Sequence, residues 1–148
     1  MVKRTSFETA ECPIARSLDV IGDGWSLLII RDALAGKRRF SEFQKSLGTA
    51  KNILAARLRT LVAQGIFELK AAADGGPHQE YVLTDKGKDL FPVMVALRQW
   101  ADVHLFRPGE IFTQLVDRKN GRPLQPLELR ADDGRVLQRQ DIAMVRSD

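Results

Sequence analysis

Asn52 and Arg59 carry side chains that can read DNA bases, since an Asn amide pairs bidentately with adenine and an Arg guanidinium with guanine. Their spacing places both on one side of a helix. With Leu54 at zero and 100° per residue, Asn52 falls at about 160°, Arg59 at about 140°, Ala55 at about 100° and Ala56 at about 200°. Leu58, Leu61 and Ile53, at about 40°, 340° and 260°, form the opposite, apolar side. Small residues at Ala55 and Ala56 allow close approach to base edges, and an Ala methyl suits contact with a thymine methyl. Lys51, at the edge of this face, is expected to join Asn52 and Arg59 at the bases, while Arg57 on the flank and Lys37, Arg38, Arg39 and Lys45 before the helix are in position to meet phosphates. Ser41 and Thr49 complete the candidate contacts.

Charge follows the same segment. The chain has 148 residues, with 23 basic against 19 acidic and a net +4. Residues 31–60 hold eight basic and two acidic groups, a local +6, while the segments on either side are close to neutral or acidic. The same face also suits a solvated helix or a protein partner. What favours DNA is its conjunction with the basic window and the elements around it.

Those elements are legible from punctuation and periodicity. Pro13, with Ile14, Leu18 and Ile21 behind it and Gly22 after, predicts a first helix opened at Cys12. A second, nearly all apolar, runs from about Trp25 to Leu34 and belongs inside a core. Phe40, Phe43 and Leu47 mark a short third helix, Gly48 a break, and Thr49 the expected N-cap of a helix over about 50–63. Two helices around a tight Gly turn are a candidate helix-turn-helix. Ile66, Phe67 and Leu69 predict a strand, Asp74-Gly75-Gly76-Pro77 a turn, and Tyr81, Val82 and Leu83 the returning strand. Thr84 can cap a last helix bearing Leu90, Met94, Leu97 and Ala101, which Pro92 should kink or split. Beyond Phe106, Asn120-Gly121 and Asp133-Gly134 predict two small hairpins.

The expected fold is therefore α+β, a winged helix-turn-helix core over residues 1–106 with a hairpin tail over 107–148. One Cys and two His are too few for a four-ligand structural zinc site, and one Cys allows no intrachain disulfide. No apolar run is long enough to span a bilayer, and the N-terminus lacks the apolar stretch of a secretory signal, so a cytoplasmic location, near the nucleoid, is expected. His104 near Asp102 has no nucleophile at suitable spacing, and phosphate-loop and dinucleotide motifs are absent. Neither an enzyme nor a cofactor is expected.

Several motifs, in order, resemble the HxlR-type winged-helix transcriptional regulators. They are Cys12-Pro13-Ile14, Leu18, Ile21-Gly22, Trp25, Leu27 to Asp32, Gly36 to Phe40, Leu54, Arg57-Leu58, Leu61, Gly65-Ile66, Tyr81 to Thr84, Gly87, Leu90, Pro92-Val93 and Trp100. The resemblance covers about residues 12–106. It implies a homodimer docked through the first and last core helices on a palindromic operator in double-stranded DNA, responding to a small-molecule or oxidant signal. It also makes Cys12 a candidate redox sensor, while the residues alone equally suit a small packed side chain. Two departures stand out. The wing tip Gly75 to Gln79 has no Arg or Lys, and the tail resembles a zinc ribbon that lacks its Cys ligands.

Overall fold

Pro13 opens helix α1 (Pro13–Ile21), where its missing N–H is no loss, and Gly22 closes it by donating to the Leu18 carbonyl. The computed structural model describes residues 5–147; the part of the N-terminal signal reading that rests on residues 1–4 lies outside the described residues. Helix α2 (Ser26–Leu34) follows a cap that composition did not reveal. The Asp23 carboxylate accepts from the Trp25 and Ser26 amides, both at 2.9 Å, and from the Ser26 hydroxyl. Helix α3 (Phe40–Leu47) is capped by Glu42, whose carboxylate accepts from the amides of Arg38 at 3.2 Å and Arg39 at 3.0 Å.

Gly48 ends α3 at φ 65°, a left-handed conformation that costs glycine nothing. Helix α4 (Lys51–Ala63) then begins one residue later than the expected start at residue 50. Ala50 is its N-cap, without a side-chain bond, and this corrects the expectation for Thr49. Thr49 sits a residue too early to reach the first amides and is buried, its hydroxyl without a hydrogen-bond partner.

Strands β1 (Phe67–Ala71) and β2 (Gln79–Leu83) pair antiparallel, Phe67 opposite Leu83 and Leu69 opposite Tyr81. Thr84 caps the short α5 (Asp85–Lys88), accepting from the Gly87 amide at 3.2 Å. A Cβ at Gly87 would lie 2.4 Å from the Ile66 carbonyl oxygen, so only glycine lets α5 pack this closely after the wing. The expected split at Pro92 is present. Helix α6 (Phe91–His104) is a separate element with Pro92 in its first turn, where no N–H is needed.

The core gathers only part of the apolar faces identified above: Ile53, expected on the buried side of α4, is 40% exposed, and Ile14 and Leu18 of α1 and Leu97 of α6 also stay outside it. Ile29 and Ile30 of α2, Phe43 of α3, and Leu54, Leu58 and Leu61 of α4 are wholly buried, with Ile66 and Phe67 beside them. Phe43, Phe67 and Tyr81 meet edge-to-face at centroid distances of 6.2–6.4 Å.

The chain divides into two compact units, the first ending at Met94 and the second beginning at Val95. Within the second, Asn120-Gly121 and Asp133-Gly134 turn two hairpins as expected. One is held by a Val116–Pro123 bridge and the other by β3 (Leu129–Arg130) against β4 (Val136–Leu137). The tail is fastened to α6 by Gln99, whose amide donates to the Gln125 carbonyl at 3.0 Å and accepts from the Leu127 amide at 2.8 Å. Arg98 donates to the Thr113 carbonyl and hydroxyl. Among the described residues, no helix is long and apolar enough to cross a membrane, and no group of three or more His, Cys, Asp or Glu is placed to hold a metal.

Candidate nucleic-acid interface

Burial of Leu54, Leu58 and Leu61 fixes the rotation of α4 and turns Lys51, Asn52 and Arg59 to the surface. Ala55 and Ala56 lie half-buried between them, so the exposed face is low in the middle and polar at its ends. Ser41 and Lys45 are exposed on α3, and Lys37 is half-buried in the connector before it. Among the described residues, the side chains of Lys45, Lys51, Asn52 and Arg59 make no hydrogen bond or ion pair with another side chain. Their donors face solvent.

Three other basic candidates are already engaged. Arg39 forms an ion pair with Asp74 at 2.7 Å and approaches Glu80 at 3.8 Å, while Arg38 reaches Glu80 at 3.5 Å. Glu80 is buried, and the Arg38 carbonyl accepts from the Tyr81 amide at 2.7 Å, so the basic connector is stitched to the wing by charge and backbone together. The Arg39 bond holds the Asp74 carboxyl below its ordinary range, and the same bond raises the guanidinium of Arg39. Arg57, on the side of α4, lies 3.6 Å from Asp23. Thr49, being buried, has no hydroxyl to offer a phosphate.

Asp23 therefore joins the cap of α2 to the side of the exposed helix. Burial pushes its carboxyl upward, but the Ser26 hydroxyl, the Ser26 and Trp25 amides and the Arg57 charge outweigh this, and the net shift is downward. A carboxylate with a lowered folded value stabilises the fold above its unfolded value and loses that contribution as pH falls through the lowered one. Replacing Asp23 by Ala should therefore cost about 1 kcal/mol at neutral pH. It should also flatten the acid limb of stability below about pH 4, read by urea denaturation at several pH values. An acid limb identical to that of the unsubstituted chain would show that Asp23 carries no such linkage.

Cys12 is exposed at the N-cap of α1. Arg16, one turn on, directs its guanidinium to the Ala10 carbonyl at 2.6 Å. His78 at the wing tip is exposed. Both end helices of the core leave apolar side chains uncovered: Ile14 and Leu18 on α1, and Val93, Leu97 and Trp100 on α6.

Sequence reasoning missed Asp23, Asp74 and Glu80. Only Asp23 had a local signal, an acidic residue just ahead of a helix start. The other two depend on pairing across 35 to 42 residues of chain.

Comparison with known proteins bears on the same elements. The profile of HxlR-like helix-turn-helix proteins matches residues 20–108. An uncharacterised HTH-type transcriptional regulator of Mycobacterium tuberculosis is 41% identical over 95 residues, covering 64% of this chain and 60% of that relative. Among solved structures, the transcription-factor candidate PA1607 is 55% identical with a TM-score of 0.92, over 97% of this chain and all of the other. The redox regulator HypR in its reduced form is 30% identical with a TM-score of 0.58, over 64% of this chain and 94% of the other.

Proposed function

The chain belongs to the HxlR-like helix-turn-helix family, and on that premise we propose that it binds double-stranded DNA as a homodimer at a two-fold symmetric operator. One observation carries the reading: α4, the second helix of the helix-turn-helix, presents Lys51, Asn52 and Arg59 outward with no partner of their own around a low centre of Ala55 and Ala56. In the major groove, Asn52 and Arg59 read base edges, and Lys51, Lys45, Ser41 and Lys37 hold phosphates. Arg38, Arg39 and Arg57, paired with carboxylates, orient the connector, the wing and α4. The apolar residues exposed on α1 and α6 supply the dimer contact, and a two-fold dimer matches a palindromic site. Operator occupancy then controls transcription.

Cys12 adds an input. It is exposed at the N-cap of α1 and has no second Cys in its own chain. Its oxidised form is an intersubunit disulfide, in which two thiols yield two electrons and two protons to the oxidant, or a mixed disulfide with a small thiol. The name of one relative, a redox regulator, supports this input.

A mobility shift on DNA upstream of the chain's own gene tests both parts. Affinity should fall roughly 10³-fold between 50 and 200 mM salt if about six phosphates are neutralised per dimer. A flat salt response would instead favour a winged-helix module with a protein partner. Diamide should change the shift for the unsubstituted protein and leave Cys12→Ser unaltered. An unchanged unsubstituted protein would remove the sensor role.

A further inference from the structure

The tail is an ordered segment that covers almost nothing of itself. From residue 105 to 147 no residue is buried, although this stretch forms two hairpins and is bonded to α6 through Gln99 and Arg98. Ile111 and Met144 are 99% exposed, Val145 86%, Leu105 and Leu129 62%, and Leu127 53%. Twelve large apolar side chains of this segment are at least 37% exposed. Summed residue by residue, they expose on the order of 1,000 Å². That area is comparable with the roughly 800 Å² that each partner gives to a stable interface. Strands of two residues cannot maintain such a display unaided.

Charge and continuity identify the occupant. Residues 107–148 carry eight basic and seven acidic groups, so the segment has no electrostatic attraction for DNA or an anionic lipid surface. A permanently apolar surface requires a permanent partner, and obligate homodimer interfaces are the most apolar. The tail is anchored to α6, whose Leu97, Trp100 and Val103 are 46%, 57% and 73% exposed, so the apolar surface of the helix continues into its own appendage.

We infer that the tail of each protomer packs against a second copy of the chain and extends the α6 contact into a larger interface. This rests on the dimer reading above. Two-fold symmetry makes the arrangement reciprocal, each copy giving a tail and receiving one.

The test uses the full chain carrying Met144→p-benzoylphenylalanine, mixed as isotope-labelled and unlabelled copies and irradiated. Cross-links joining labelled to unlabelled chains are expected. Cross-links confined to single chains would overturn the inference. In sedimentation, Ile111→Asp combined with Leu129→Asp should weaken the dimer at least tenfold, with Leu97→Asp testing the helix contact separately. If Leu97→Asp dissociates the dimer while the tail variant sediments like the unsubstituted chain, the dimer stands and the tail inference falls. An unsubstituted chain that is monomeric throughout would defeat both.

Discussion

Replacing Phe43 by Ala is expected to remove about 3–5 kcal/mol of stability, the range for emptying a buried aromatic site. Phe43 is wholly buried, and its ring meets those of Phe67 and Tyr81 edge-to-face at 6.2 and 6.4 Å. One side chain thus ties α3 to both strands of the wing. The cavity left by Ala would loosen the helix-turn-helix and the wing together, because neither has an independent core. Urea denaturation should show a lower midpoint with an unchanged slope, the signature of lost stability without a changed denatured state. Phe43→Leu, which keeps apolar bulk but loses both edge-to-face contacts, should cost less. Equal losses for Ala and Leu would mean that ring geometry, and not volume, dominates at this site.

What was legible in the sequence was whatever depends on neighbours along the chain. Pro13, Gly22, Gly48 and Pro92 mark backbone requirements that hold in any context, and the elements end or divide where these residues stand. Asn120-Gly121 and Asp133-Gly134 have the same local character, and both turns form with glycine at positive φ. The outer face of α4 was legible because three leucines fix its rotation. Thr49 shows where this reasoning stops: residue type suggested a cap, but the helix starts one residue later. Arg38 and Arg39 show it more strongly. On composition they join Lys45 and Lys51 in one basic window, yet Asp74 and Glu80, brought close only by the wing, pair with them. Net charge over residues 31–60 therefore overstates the charge left for a phosphate backbone.

That distinction decides what a substitution at Arg59 should do. Arg59 is exposed on the outer face of α4 without a partner, so Arg59→Ala leaves no carboxylate unpaired and should barely change stability. Its expected cost is in binding, about 1–3 kcal/mol, or roughly 5- to 150-fold in affinity, with relaxed base preference at one position per half-site. Lys51→Ala should behave differently, weakening binding to all sequences alike and reducing the salt slope, as loss of a phosphate contact does. Arg57→Ala supplies the third pattern. Arg57 is engaged by Asp23, so its removal should lower stability and shift affinity only through the position of α4, with base preference unchanged. Selection of binding sites from a randomised half-site, run on the three variants beside denaturation curves, separates these outcomes. A uniform affinity loss across sequences for Arg59→Ala would place Arg59 on the phosphate backbone and leave Asn52 as the base-reading residue of α4.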